Sequence, residues 1–393
     1  MTKSIIKALI LILLSICSLL NSINAQNIRL ALFNIKEMST EKLSDIDKNG
    51  IGQNEQLRAA AAIIEVINAD ILVLNEIDHD YSVSKNENIY LVNINRFESA
   101  YLKNIHYKYI FAAPCNTGHL TGFDLNNDGL TAGTTDIGSR EHGDDCYGWG
   151  TYPGQYSMAV LSKYPISTKE VRTFQKFLWH NLPGHHMPED FYSNEERAIL
   201  RLSSKSHWDV PVRIDGSTFH LLVSHPTPPV FDGPEDRNGR RNFDEIKFWK
   251  LYLNNSAAIY DDSGHNGGYA NEDAFAIIGD LNASIQSDSR YDQQKAIEQL
   301  LKHPRIQDSG PAMTSGGARK GISAGPPDFF EQATTEFRKG MKRRIDYILP
   351  SKNVAIIKGG VFWPDAQKNP VLHQRAMQAS DHRLIWLDVE FGR

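Results

Sequence analysis

Cysteine is scarce in this chain of 393 residues, with only three, at positions 17, 115 and 146. That excludes a disulfide-dense scaffold and leaves room for one bridge. Long apolar runs are scarcer still. The one candidate, Ala8–Leu20, is too short for a membrane-spanning helix, and no later run is long enough. There is no surplus of basic charge. The formal net charge is -5, so bulk attraction to nucleic acid is excluded, although a local basic groove is not. Internal repeats and low-complexity linkers are absent, and the apolar and aromatic content suffices for a large globular core.

What is present begins with a targeting layout. Lys3 and Lys7 precede the apolar run, and Ile23-Asn24-Ala25 offers a small residue for cleavage. This predicts a secretory signal over residues 1–25 and a secreted or periplasmic protein. Ile16 stands before Cys17 where a lipid-attachment site wants a small residue, which argues against a lipoprotein. The remainder, 26–393, is expected to form one domain and to be a monomer. Cys115 and Cys146 then remain, both in a polar, glycine-rich stretch, and a disulfide between them is expected over two reduced thiols.

Several apolar strand patterns end in a polar residue. Ile28–Ile35, Ile71–Leu74, Ser157–Ser162, Phe219–Ser224, Phe275–Ile278, Arg344–Leu349 and Leu384–Phe391 read as strands, and Gln56–Asn68 as an amphipathic helix. Cys115–Tyr156 and Pro226–Asn242 read as long surface loops, which in a compact domain are usually functional.

Glu76 follows a strand that is apolar on both faces, where a carboxylate is poised for a cation or is simply a surface group. Gly279-Asp280-Leu281-Asn282 places two polar groups on one side of an extended backbone. They can orient a water and hold a phosphoryl oxygen, or they can form a turn. Asp346 lies within an apolar strand and needs a partner, for which a histidine is expected over Arg344. Asp381-His382 can bind metal with one residue and turn the other toward substrate, with Asp346 fixing the imidazole. His225 precedes Pro226-Thr227-Pro228-Pro229, whose prolines stiffen its exit. Its rival reading is a structural histidine.

In this order, Asn34, Glu76, His225, Asp280-x-Asn282, Asp346 and Asp381-His382 resemble the endonuclease/exonuclease/phosphatase (DNase I-like) superfamily, from Ile28 to Phe391. The resemblance implies an α/β (α+β) fold, a four-layer sandwich of two packed mixed β-sheets flanked by helices. It implies a hydrolase of phosphate esters that uses Mg²⁺ or Mn²⁺. Glu76 and Asp381 would serve the metal. His225, Asp280, Asn282, Asp346 and His382 would serve catalysis, and Asn34 would contact phosphate or orient Glu76. Some members carry an acidic metal ligand two positions after the early Asn. Lys36 stands there, so the metal count stays open.

Arg237, Arg240 and Arg241 lie close in sequence to His225, and guanidinium groups suit phosphate. The alternative is a solvated loop pinned by its acids. Asp124, Asn126 and Asp128 match the first half of a calcium loop, but Thr135 stands where the closing Glu belongs, so a structural Ca²⁺ and an acidic turn are both open. The functional alternatives are an extracellular nuclease, with nucleic acid as substrate only, and a non-catalytic binding module on the same fold.

Overall fold

The computed structural model of the chain describes residues 26–84, 87–286, 290–310, 332–337 and 341–392. The expected signal segment lies outside them.

Alternation of side chains decides the layers. In β1 (Gln26–Met38), Leu30 and Leu32 point to one core and Ala31 and Phe33 to another. The same split recurs in β2 (Ile71–Ile77) and β4 (Ser157–Ser162). With β3 (Tyr109–Phe111), β12 (Ala355–Val361) and β13 (Ile385–Phe391), they form a six-stranded sheet in the order β12-β13-β1-β2-β4-β3. The second sheet takes β5 (Arg172–Thr173), β6 (His207–Ile214), β7 (Ser217–Ser224), β8 (Ala274–Asp280) and β11 (Asp346–Pro350), in the order β11-β8-β7-β6-β5. Each sheet holds one parallel pair, β1 with β2 and β7 with β8. A ribbon of β9 (Thr335–Phe337) and β10 (Met341–Arg343) completes the strands.

The inner faces meet through Leu30, Leu32, Val73 and Val160 on one side and Trp208, Val210, Leu221 and Ile278 on the other. The outer face of the first sheet is covered by helices Glu55–Ile67, Val92–Tyr101 and Pro370–Ala379. The outer face of the second lies under the helix Arg237–Leu253, which contributes Phe248, Trp249 and Tyr252. The result is the four-layer sandwich expected. The helix Glu55–Ile67 starts where Asn54 accepts from the Leu57 N–H and stops at Asn68, which turns left-handed at φ 51°.

Three expectations need correction. The stretch 115–156 is not a bare loop, because it folds a 3-10 turn at Thr134–Asp136 and a short helix at Arg140–Asp144. The stretch 226–242 ends in helix, which begins at Arg237. Cys115 and Cys146 form no disulfide. Both are free and buried, the first with its sulfur 3.0 Å from the Thr117 hydroxyl, the second donating to the His142 carbonyl at 3.0 Å. Local polar partners satisfy each thiol separately.

Candidate active site at the rim of the sandwich

The two parallel strands at the centre of the first sheet break register at the same end. β1 bulges between Asn34 and Met38, where Lys36 and Glu37 take φ of 51° and 57°. β2 bulges around Glu76, which sits at φ 65°. Left-handed backbone at such bulky residues persists only where the surroundings enforce it, and a bulge re-aims a side chain. Glu76 is thereby turned out of the strand's alternation to the rim, where it is half-buried.

Asn34 is fully buried, and its amide donates to Glu76 Oε1 at 2.9 Å and to Asp280 Oδ2 at 3.0 Å. One side chain thus ties the rim of the first sheet to the end of β8 in the second. Asn75 adds a second tie, its Oδ1 accepting from the Asp280 N–H at 2.9 Å, while its Nδ2 has no partner among the described residues. β8 can run this close to β7 because residue 279 is glycine. A Cβ there would lie 1.9 Å from the Ser224 carbonyl oxygen.

Asp280 Oδ2 is the meeting point. Besides Asn34 it faces His225 Nε2 at 3.6 Å and His382 Nε2 at 3.7 Å. Burial raises the Asp280 pKa, with the charge of Asp346 adding to it and that of His382 opposing it. His225 is buried, which drives its pKa well below the ordinary histidine value, and it stays neutral. Its Nδ1 has no partner among the described residues. His382 is the opposite case. Burial works against its charge, but the carboxylates of Asp346 and Asp280 outweigh it and hold the ring cationic. Its Nδ1 lies 2.9 Å from Asp346 Oδ2. Asp346 itself pairs in register with Asp280 across β11 and β8. Arg344 goes elsewhere, to Asp308 at 2.8 Å.

The turn carrying Asp381-His382 is fixed from below. Ser380 Oγ donates to the Asn34 carbonyl and accepts from the His382 N–H. Arg383 is buried, donates to the carbonyls of Ser380 and His382, and lies over the Trp363 ring. Asp381 is partly exposed, and Lys36 Nζ lies 3.3 Å from it.

Asn34, Glu76, His225, Asp280, Asp346 and His382 therefore converge. Asn282 lies beside them by a different route from the extended backbone expected. It is left-handed at φ 49°, its N–H binds Asp280 Oδ1 at 2.9 Å, and its amide donates to the Pro226 carbonyl at 3.1 Å. Its side chain thus braces the loop after His225.

The three arginines are not brought to this cluster as free phosphate ligands. Arg241 is spent on the carbonyls of Leu202, Tyr147 and Arg201. Arg237 pairs with Glu235 and lies over Phe191. Arg240 binds the Glu235 and His186 carbonyls and lies over Tyr291. Asp124, Asn126 and Asp128 accept from N–H groups of their own loop, at residues 128, 129 and 130, which is the bonding of an acidic turn.

A further group went unread in the sequence. Asp78, two residues past Glu76, takes the Tyr152 hydroxyl at 2.5 Å and the Tyr156 N–H at 2.9 Å. The same hydroxyl lies 3.1 Å from Glu37 Oε1, to which the Gln155 amide donates. Burial, with the nearby charges of Glu37 and Glu76, pushes the Asp78 carboxyl up to about 7. The acid at 78 was the only sequence signal. Its partners lie more than seventy residues away.

Among known proteins, the profile of the Endonuclease/Exonuclease/phosphatase family matches residues 31–382. A search of curated proteins found no match. Solved structures with the same fold include an endonuclease/exonuclease/phosphatase from Beutenbergia cavernae at 15% identity and TM-score 0.51, over 93% of this chain and 72% of that one. An endonuclease/exonuclease/phosphatase family protein from Bacteroides thetaiotaomicron aligns at 11% identity and TM-score 0.49, over 94% of this chain and 100% of that one. A mannosyl-6-phosphatase from the same species aligns at 12% identity and TM-score 0.46, over 93% and 100%.

Proposed function

This chain belongs to the endonuclease/exonuclease/phosphatase family of phosphoesterases and nucleases, and on that premise we propose that it is a metal-dependent hydrolase of small phosphate esters acting outside the cytoplasm. The observation that carries the reading is the convergence on Asp280 Oδ2 of Asn34, His225 and His382, at 3.0, 3.6 and 3.7 Å.

The donor set fits a hard divalent cation. Glu76, Asp280, Asp346 and Asp381 crowd carboxylates at one rim, and the positive charges directly engaged by them are those of Lys36 and His382. Oxygen donors in such excess suit Mg²⁺ or Mn²⁺. Asp280, Asp346 and His382 place ligand-type atoms within 4.8 Å of one another. A cationic imidazole whose Nδ1 is committed to Asp346 is a poor ligand, however, so that trio handles protons. Glu76 and Asp381 would hold the ion, which when bound polarises a phosphoryl oxygen and offsets developing charge.

The chain's own residues then divide the remaining work. Asp280, poised by Asn34 and the Asn282 N–H, takes the proton of the attacking water. His382, charged and oriented by Asp346, presents Nε2–H to the phosphoryl or leaving oxygen. Neutral His225 also faces Asp280 Oδ2 and supplies a second hydrogen-bonding edge.

A nucleic-acid substrate would want a basic or aromatic track. The arginines of 237–241 are engaged internally, which favours a small ester. Among the described residues no helix is long and apolar enough to cross a membrane. The test is an activity panel of a phosphomonoester, a phosphodiester, DNA and RNA, each with Mg²⁺, Mn²⁺, Ca²⁺ or chelator, on wild type and Asp280→Asn. Chelator-sensitive hydrolysis lost in the variant is expected. Absence of hydrolysis on every substrate would favour a binding module. Export is tested separately, by N-terminal sequencing of protein recovered outside the cytoplasm, which should begin near Gln26.

A further inference from the structure

Lys205 lies in the stretch Ser203–Ser206 that leads into β6, and it is only 6% exposed. Its surroundings are rigid. Asn116 binds the carbonyls of Ser203 and Lys205 at 2.7 and 2.9 Å, and the Ser204 N–H donates to Glu245 Oε1 at 2.7 Å. The backbone therefore cannot swing the side chain into solvent. Among the described residues no carboxylate pairs with its ammonium and no acceptor hydrogen-bonds to it. Glu245, the carboxylate that acts on it most strongly, is already committed. Its second oxygen takes the Thr227 N–H at 2.6 Å, which fixes the loop after His225.

The β6–β7 ladder places this segment at the rim: His207 pairs opposite Ser224, and Glu245 takes the N–H groups of both Ser204 and Thr227, which holds the residues before β6 against those that follow His225. The charges acting on the ammonium agree with that placement. Burial pushes its pKa down, Glu245, Glu76 and Asp280 push it up, and Arg241 opposes it. In return its charge helps to depress His225. Lys205 is thus a desolvated cation beside the catalytic acid, the neutral histidine and the expected metal carboxylate. A buried ammonium without a paired anion is destabilising. An anion supplied from outside would offset that cost.

We propose that Lys205 is a substrate-binding residue whose ammonium receives a terminal oxygen of the substrate's phosphoryl group. The inference rests on the phosphoesterase reading of the same rim. A tetrahedral oxyanion seated near Asp280, His225 and His382 would pair with the lysine, and the three N–H donors of an ammonium suit such an oxygen. The lysine also compensates electrostatically for Glu76 and Asp280, which would otherwise repel an incoming phosphate.

The test compares full-length wild type with Lys205→Met and Lys205→Arg, using inorganic phosphate as the binding probe and p-nitrophenyl phosphate and its bis ester as substrates. Lys205→Met should melt at a temperature equal to or above wild type, because it removes an unpaired buried charge. Its affinity for phosphate, read from the phosphate-induced rise in melting temperature, should fall about 10- to 100-fold, the range of a charge-assisted hydrogen bond. kcat/KM on whichever ester is turned over should fall with it, and Lys205→Arg should recover part of both. A merely structural lysine would give the reverse, a lower melting temperature with an unchanged phosphate response, and that result overturns the proposal. Should Lys205→Met not fold, wild-type phosphate affinity in a folded Lys205→Gln would overturn it equally. If wild type neither hydrolyses any phosphate ester nor responds to phosphate, the phosphoesterase reading itself fails. If wild type does both and the variants match it, only the role of Lys205 fails.

Discussion

Two aspartate–histidine pairs are built at opposite ends of the sandwich. At the rim, His382 Nδ1 lies 2.9 Å from Asp346 and its other nitrogen points toward Asp280. At the far end, His220 Nδ1 lies 2.6 Å from Asp209 Oδ1, and its Nε2 is 3.7 Å from Asp273. This second pair even lines a cavity of about 400 Å³ with Arg172, Arg213 and Tyr252. By residue type it could pass for a second active site. What separates the two is how far the bonding is completed. Asp209 gives its other oxygen to the Tyr252 hydroxyl at 2.5 Å, Arg172 is paired with Asp261, and Arg213 with Glu170. At the rim, among the described residues, Asn75 Nδ2 and His225 Nδ1 are left without partners. An acid–histidine pair marks chemistry when its neighbours are left waiting, and architecture when they are all engaged.

The most severe test of that contrast exchanges the two histidines for alanine. His382→Ala should cut turnover by about 10²–10³, as loss of a transition-state donor does, while circular dichroism stays native. His220→Ala should leave turnover within about twofold and lower the melting temperature instead. Comparable kinetic losses from the two would abolish the distinction.

Removing the acids probes the same contrast through stability. Asp209→Ala strands a buried imidazole and a buried hydroxyl and should destabilise by about 1–3 kcal/mol in denaturant titration. If it also reduced turnover more than Asp346→Ala does, the remote pair would have to be counted as functional.

Acid sharpens the comparison with a third environment. Among the described residues His79 and His207 are buried without a carboxylate partner, and burial lowers both to about 3. In the folded state they remain neutral, whereas in the unfolded chain they protonate below about 6.5. The unfolded state therefore binds more protons between pH 6.5 and 3, and stability falls as pH drops through that window. The slope should approach about 1.4 kcal/mol per pH unit per histidine. Equilibrium unfolding of His207→Gln should show a shallower acid limb than wild type, and an unchanged limb would refute the assignment. His382 has the opposite sign. Its folded pKa is raised, so its contribution is complete below about 6.5 and is lost only on the alkaline side.

The smallest effect is expected at Lys36. Its side chain is 62% exposed in the pair with Asp381, and solvent-screened pairs contribute about 0–1 kcal/mol. Lys36→Ala should leave the melting temperature nearly unchanged. A large stability loss would mean that this ion pair, and not the Asn34–Glu76–Asp280 network, holds the rim together.

Much of the site could be read from the sequence because each member ends or flanks a strand whose apolar pattern is plain. Ile71–Leu74 announces Glu76, Phe275–Ile278 announces Asp280, and the acid within Arg344–Leu349 called for the histidine it received. The layers followed from alternation. What stayed hidden depends on departures from that alternation. Asn282 was placed by a period of two, but a left-handed residue breaks the period. Arg240 and Arg241 looked free because their partners are backbone carbonyls, which no side-chain pattern reveals, whereas Arg237 takes one of its own loop's acids, Glu235. Lys205 sits among serines with nothing local to show that the fold would bury it, and Asp78 finds Tyr152 only through a stretch whose internal structure the sequence did not disclose.

The paired bulges in β1 and β2 bear on how such a protein can be altered over generations. Ladder pairing between these strands is complete from Leu30 with Ile71 to Asn34 with Asn75, before either strand departs from regular geometry. Beyond the bulges one pair, Met38 with Ile77, closes this ladder at a shifted register. Residues can be gained or lost after Met38 or Asp78 without slipping the inner faces of Leu30, Leu32 and Val73 against their partners. The bulges act as a joint between a conserved-shape chassis and replaceable fittings, so new substrate-facing loops can be tried while the core that folds the chain is left untouched.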